Sequence, residues 1–135
     1  MSRNRLILSA VVAAIVAFGF GFLLGASGRF TIQNTLDQVQ QQLDLSEARG
    51  TILEARVSLY NVNFGDAAKR FDASKAPLRR ARERYQQVGN NAAAGSIAAA
   101  LEHVEEGQRL AVKLDQAANA KANDALEAIK VATSR

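Results

Sequence analysis

The residues best suited to chemistry lie in one short acidic run, where His103 stands among Glu102, Glu105 and Glu106. Imidazole and carboxylate groups are the ligands of di-iron helical bundles, which need a glutamate followed three residues later by a histidine on each of two helices. Here the histidine precedes the glutamate, and it is the only histidine in the chain. The run therefore indicates an exposed, charged helix face, and we predict neither a metal site nor a bound cofactor.

The composition narrows the chemistry further. The chain has 135 residues and no cysteine, which excludes disulfides, thiolate metal sites and thiol catalysis. Its length allows one modest domain. We find no nucleophile and base set, no phosphate-binding loop and no dinucleotide motif. We therefore predict that the protein is not an enzyme and has no catalytic residues.

A basic run between residues 69 and 84 carries seven positive and two negative side chains, whereas the rest of the chain beyond residue 28 has eight basic and eleven acidic residues. The basic residues are Lys69, Arg70, Lys75, Arg79, Arg80, Arg82 and Arg84. They could pair with acids on neighbouring helices, namely Asp44, Glu47, Glu54, Glu102, Glu105 and Glu106. Alternatively they form a docking patch for an acidic partner or for anionic lipid headgroups.

The run begins in a turn, residues 59–71, with the sequence LYNVNFGDAAKRF. The predicted helix elbow consists of Tyr60, Asn63, Phe64, Gly65, Asp66 and Phe71. We expect Asn63 to cap the next helix, Asp66 to lie near its positive end and Gly65 to relieve the backbone. The three aromatic side chains would pack across the turn as a cluster. Aromatic groups beside cations also allow a site for an anionic or aromatic ligand.

The same turn has the spacing of a known repeat. Phe64, Ala67, Phe71 and Ser74 resemble the aromatic, alanine, aromatic and small positions of a tetratricopeptide motif. That resemblance implies a helical hairpin that binds peptides. A shift of 34 residues does not reproduce the motif, so a single hairpin is the better interpretation.

The turn follows a long helix, predicted over about residues 32–62. Its spacing alternates between three and four through Leu36, Val39, Leu43, Ser46, Gly50, Leu53, Val57 and Tyr60. This is a heptad-like pattern. Ile52 and Leu59 are expected to widen the apolar stripe.

Three more helices are predicted, over about 66–88, 92–114 and 117–133. Pro77 lies inside the first of them, where it would kink the helix or divide it in two, and we favour the kink because the apolar register continues. Gly89 suits the left-handed end of that helix and the following asparagines suit the next N-cap. Asp115 could cap the last helix, although the last two helices could also be continuous.

Together these patterns predict an all-α fold, an antiparallel bundle of three or four helices over residues 35–135. No segment alternates with the period of a strand. Much of the predicted apolar surface is alanine, which buries little area. A thin core beside a long first helix suggests that another chain covers some of the apolar surface.

Residues 1–28 are predicted to anchor the chain in a membrane, with residues 29–34 as a short joint. The stretch from Leu6 to Ala26 has 21 residues and no charge, long enough to cross a hydrocarbon core of about 30 Å. Arg3 and Arg5 precede it, which places the N-terminus in the cytoplasm and the helical domain outside it. A cleaved signal peptide is the alternative, but its apolar core would be unusually long.

The predicted anchor has a face of small residues. They fall four apart at Ser9, Ala13, Ala17, Gly21 and Gly25. Such a ridge lets two helix backbones approach closely. We expect it to pack against a partner helix, from the same or another protein.

The sequence thus favours a single-span protein of the inner (cytoplasmic) membrane with a periplasmic or equivalent extracytoplasmic domain. We expect an accessory or scaffold subunit in protein–protein assembly, with other subunits or itself as partner. No nucleic-acid partner and no small-molecule substrate are expected. The alternative is a membrane-tethered binding or chaperone-like module for a peptide or an anionic ligand. A sensory domain is a third option.

Overall fold

A computed structural model describes residues 33–134. The chain divides into two compact units, residues 1–38 and residues 39–135. Of the first unit, residues 33–38 are described, and they are helical.

Four helices form a bundle in the described part of the chain, which contains no strand. Helix α1 covers residues 39–60 of the second unit. Helices α2, α3 and α4 span Phe64–Gln87, Asn91–Val112 and Ala118–Thr133. The predicted all-α bundle is confirmed, and each predicted helix boundary from residue 60 onward lies within two residues of the observed one.

The turn between α1 and α2 is closed by local hydrogen bonds. The side chain of Asn63 accepts a hydrogen bond from the backbone N–H of Asp66 at 3.2 Å, so the predicted cap is confirmed. The left-handed residue of the turn is Val62, with φ of 58°. Gly65 lies inside α2 without a positive φ, so the prediction that it relieves the backbone of this turn is wrong. The strain falls on the valine instead.

Helix α2 runs unbroken through Pro77, which is fully buried. The alternative of two shorter helices is therefore wrong. The predicted apolar register explains the continuity, because Phe71, Leu78 and Tyr85 all face the core on either side of the proline. Burial of that face outweighs the loss of one backbone donor.

The two remaining turns use different means. Gly89 adopts φ of 74°, and the side chain of Asn90 caps α3 by accepting from Ala93 N at 3.1 Å. Helices α3 and α4 are separate, divided by a turn in which Leu114 has φ of 60°. Asp115 accepts from Ala117 N at 2.8 Å in this turn, but the N-cap of α4 is Ala117, which makes no side-chain cap.

The core is thin, as the sequence predicts. More than half of the buried apolar residues in the described part are alanine. The largest fully buried side chain is Phe71 of α2, whose ring lies against Gly107 of α3. Small residues therefore bring the helix backbones close together, and a few large ones fill the space between them.

Helix α1 turns a different face to this core from the one its heptad pattern suggests. The buried apolar residues of α1 are Leu45, Ala48, Ile52, Ala55 and Leu59. They form a second stripe with spacings of three and four, and each lies two residues beyond a member of the predicted stripe, about 200° around the helix. The expectation that Ile52 and Leu59 widen the heptad stripe is therefore wrong, because they lie on the opposite face.

Among the described residues, none of the helices is both long and apolar enough to span a membrane. The predicted anchor at 1–28 lies outside the described residues, as do Ser9, Ala13, Ala17, Gly21 and Gly25 of its small-residue face.

Candidate interaction surface

The heptad stripe of α1 forms an exposed apolar surface, which we call the outer face. Within the second unit it consists of Val39, Leu43, Ser46, Gly50, Leu53, Val57 and Tyr60, all exposed. Leu43 is 63% exposed, Val57 58% and Tyr60 69%. Helix α1 thus has one apolar stripe that faces the core and another that faces solvent. An exposed apolar stripe of this kind is typical of a surface that a partner covers.

Other exposed large apolar residues in the described part are mostly isolated. Val62, Val88, Val112 and Leu114 lie in turns or at a helix end, each flanked by polar residues or small ones. Single apolar residues at such places are normal for a soluble surface. The outer face differs because its members repeat along more than 20 residues of one helix.

One edge of the outer face is acidic and is tied to α2. Glu47 Oε2 accepts from Arg80 Nη2 at 3.0 Å, and Glu54 Oε2 accepts from Arg70 Nη1 at 2.7 Å. Both carboxylates remain largely exposed. Each therefore keeps a second oxygen free to accept a hydrogen bond from elsewhere.

The other edge is basic and faces α4. Arg56 Nε donates to Asn119 Oδ1 at 3.0 Å. The Asn119 amide in turn donates to the hydroxyl of Tyr60 at 3.4 Å. Hydrogen bonding to Asn119 and the nearby Arg56 lower the pKa of Tyr60. Arg49, one heptad earlier, is exposed and forms no ion pair with any described residue.

A shallow groove of about 390 Å³ lies along this basic edge. Its lining residues are Gln42, Leu45, Ser46, Arg49, Gly50, Leu53 and Thr133. The groove exists because Ser46 and Gly50 are small where the rest of the outer face carries larger side chains. A Cβ atom added at Gly50 would meet nothing within 4 Å, so this part of the face can accept added bulk.

Most residues of the basic run in α2 form ion pairs within the chain. Asp44 is 7% exposed and accepts from Arg80 Nε at 2.8 Å and from Arg84 Nε at 3.2 Å. The hydrogen bond that Arg80 donates to Asp44 raises the pKa of Arg80. These pairs join α1 to α2, as one of the two sequence interpretations predicts.

The other five members of the basic run differ in their contacts. Arg70 pairs with Glu54, and Lys75 pairs with Asp72 and contacts Gln108 of α3. Lys69 and Arg79 are exposed and form no ion pair with a described residue. Arg82 is half-buried, and its Nε has no hydrogen-bond partner in the described part of the chain. The seven residues of the basic run therefore do not form a continuous patch of unpaired basic side chains.

The predicted aromatic cluster at the elbow is only partly formed. Phe64 and Phe71 are buried, but Tyr60 points to solvent and to Asn119. The expectation that all three aromatic rings pack together is therefore wrong for Tyr60, because it belongs to the outer face of α1. Asp66 stays at the elbow, where Ser58 Oγ donates to its Oδ2 at 2.5 Å.

The acidic run of α3 does not form a metal centre. His103 is half-buried, Glu102 and Glu105 are exposed, and Glu106 pairs with Arg109. Within residues 33–134, no group of three or more histidine, aspartate or glutamate side chains could hold a metal ion.

The sequence indicated the outer face as a heptad pattern and named Asp44 as a candidate partner of the basic run. It did not show that Asp44 is buried and shared by two arginines, although two arginines one turn apart on a later helix are a signal for a shared acidic partner. In comparisons with known proteins, no protein family matches the chain, and no curated protein or solved structure shows significant similarity to it.

Proposed function

We propose that the protein is a non-enzymatic, single-span membrane protein whose extracytoplasmic helical bundle acts as a small accessory or scaffold subunit in protein–protein assembly. The outer face of α1 is the docking surface in this proposal. The anchor is the apolar segment within residues 1–28, and its small-residue face packs against another membrane helix.

The observation that supports the proposal best is the exposure of the heptad stripe. Leu43, Leu53 and Val57 would each be buried if α1 used this stripe for its own bundle, yet each is about half or more exposed. Leaving several large apolar side chains in water on one helix face gives up the free energy that burial would supply. A partner that covers the face recovers it.

The ion pairs inside the domain also support docking through α1. Because Asp44, Glu47 and Glu54 hold α2 in place, α1 is fixed on its inner side and presents its outer face in one orientation. A rigid, preformed surface loses little conformational entropy when a partner binds.

The membrane half of the proposal is tested by fractionation and protease accessibility. The full chain should stay with membranes after alkaline extraction. A protease added to the periplasmic side should digest the helical domain. Release of the whole chain at alkaline pH, or protection of the domain, would refute the predicted topology.

The assembly half is tested with a photo-crosslinking amino acid in place of Leu53. We expect it to form a protein adduct in membranes, whereas the same group in place of Val112 should not. Val112 is the matched control because it is apolar and exposed but lies at the end of α3. Equal adducts from both positions, or none from position 53, would argue against docking through α1.

A second candidate function rests on the groove beside the outer face. Its volume of about 390 Å³ is within the usual range for small-ligand sites. Leu45 and Leu53 offer apolar contact and Arg49 a positive charge. This favours a tethered binding module for a peptide or an anionic ligand.

Removing residues 1–28 separates the two candidates. A fully folded, soluble fragment that retains binding of a labelled anionic peptide favours the binding module. A fragment that loses its partner or becomes unstable favours the assembly subunit. Arg49→Gln in the full chain is a second test, since it should abolish anionic binding without unfolding the bundle.

A further inference from the structure

We infer that the outer face of α1 binds the outer face of a second copy of this chain, as a parallel, in-register coiled coil over residues 39–60. The inference rests on the proposed function and names its partner. The heptad register of the face and the sign of the charges on its two edges support this pairing, and the free space at its centre allows the dimer to be strengthened by substitution.

The register fits a two-stranded coiled coil. Leu43, Gly50 and Val57 occupy the first core position of successive heptads (position a). The second core position (position d) is filled by Val39, Ser46, Leu53 and Tyr60. The strict spacing of three and four keeps one seam facing a partner along the whole range. All seven residues are exposed, so the seam is open to a partner.

The edge charges choose the orientation. The two acids that flank the seam, Glu47 and Glu54, both lie at position e, whereas Arg49 and Arg56 both lie at position g. In a parallel pair, position g of one copy faces position e of the next heptad in the other copy. Arg49 of each copy then meets Glu54 of its partner. In an antiparallel pair, arginine would face arginine and glutamate would face glutamate.

The groups needed for that contact are available in the structure. Arg49 is exposed and forms no ion pair with a described residue. Glu54 uses Oε2 for Arg70, which leaves Oε1 for an incoming guanidinium. The two symmetric contacts between Arg49 of one copy and Glu54 of the other therefore form without rearrangement of the four-helix bundle.

The centre of the seam is loosely filled. Ser46 and Gly50 leave room there, and a Cβ atom at residue 50 would meet no other atom within 4 Å. Self-association at this seam is therefore weaker than that of a heptad with large residues throughout. Filling the seam with a larger side chain should therefore strengthen the dimer. If the outer face does not bind a second copy, the same substitution should leave self-association unchanged.

Single-cysteine crosslinking of the full chain in mild detergent tests both the surface and the orientation. The chain has no cysteine, so Val39→Cys and Val57→Cys each introduce one thiol. These positions lie about 27 Å apart along the helix. A disulfide needs Cα atoms within about 7 Å, so both variants can crosslink to themselves only if the two copies are parallel and in register.

We expect disulfide-linked dimers from both variants on mild oxidation and at least fivefold less dimer from Val112→Cys, the exposed control outside the face. Comparable dimer from all three variants would show random collision and overturn the inference. No dimer at 39 and 57 would also overturn it. In that case, adducts from position 53 to a different protein would leave the proposed function standing.

A charge exchange tests the paired edges independently. Arg49→Glu places like charges at both contacts of a homodimer, and Glu54→Arg does the same with the opposite sign. A mixture of the two variants restores attraction at both contacts. We expect mixed dimers to exceed either homodimer by roughly fivefold. Random mixing would contradict the parallel register.

Gly50→Leu provides the corresponding gain of association. The residue is exposed, so the variant should fold as the wild type does. We expect its dimer dissociation constant to fall by at least tenfold in the same detergent. An unchanged constant would place the seam elsewhere on the molecule.

Discussion

The ring of Phe71 in α2 lies directly against the backbone of Gly107 in α3. A Cβ atom built at residue 107 would lie 2.8 Å from both Cε1 and Cζ of that ring. Such a distance is well inside van der Waals contact, and the ring is fully buried. The close approach of α2 and α3 therefore depends on the absence of a side chain at residue 107.

This relationship predicts that Gly107→Ala destabilises the bundle. The added methyl group must displace a buried ring, which typically costs about 1–3 kcal/mol. Gly95→Ala is the matched control, because Gly95 lies in the same helix and its Cβ would meet nothing within 4 Å. Urea unfolding should show a lower free energy of unfolding for the first variant and a rise of up to about 1 kcal/mol for the second. Equal changes would contradict the packing described here.

The buried carboxylate of Asp44 should contribute more to the free energy of unfolding than the exposed carboxylate of Glu47. Asp44→Asn removes the negative charge of the carboxylate that accepts hydrogen bonds from both Arg80 and Arg84. Because hydrogen bonds to a buried charged group are strong, we expect a loss of about 1–3 kcal/mol. Glu47→Gln, an exposed pair with the same Arg80, should cost less than about 1 kcal/mol. Thermal or urea unfolding of both variants measures the difference, and the reverse order would refute the ranking.

Much of this fold can be predicted from its sequence. The 3.6-residue period, the Asn63 and Asn90 caps and the Gly89 turn define the four helices. The orientation of α1 could not be predicted, because the helix carries two apolar stripes with the same spacing. The buried stripe contains Ala48 and Ala55, whose small side chains give a weak sequence signal but allow close packing in the core. Which stripe faces the core depends on those neighbours, which no local pattern encodes.

The strained turn between α1 and α2 gives a third prediction. Val62 holds φ of 58°, a left-handed conformation that a β-branched residue adopts at a cost of about 1–3 kcal/mol. Its side chain is exposed, so Val62→Gly loses little packing. We expect the free energy of unfolding to rise by about 1 kcal/mol, since glycine also loses entropy on folding.

Val88→Gly is the control for that prediction. Val88 is equally exposed, but its φ is −90°, where valine is not strained. Glycine there should lower the free energy of unfolding by about 0.5–1 kcal/mol. If both glycine variants are less stable than the wild type, the left-handed valine is not strained.

The elbow also predicts a pH effect. The hydrogen bond from Ser58 lowers the pKa of Asp66 below its ordinary value of 3.8. The folded state therefore favours the ionised carboxylate, so this contribution to stability is present above the unfolded pKa and is lost as the pH falls through the lower folded pKa. Ser58→Ala should raise the pKa of Asp66, as seen by NMR titration, and should flatten the loss of stability below pH 4. An unchanged pKa would contradict the role of Ser58.

The central claim is that a partner covers the outer face of α1 in the native membrane, and it can be measured by thiol labelling. Val57→Cys and Val112→Cys each place one thiol at a site that is exposed in the chain alone, in a protein that otherwise has none. A water-soluble maleimide should label position 112 rapidly and position 57 at least tenfold more slowly in membranes. After denaturation, the two rates should be equal. Equally fast labelling of both positions in native membranes would show that the outer face is uncovered and would contradict the account.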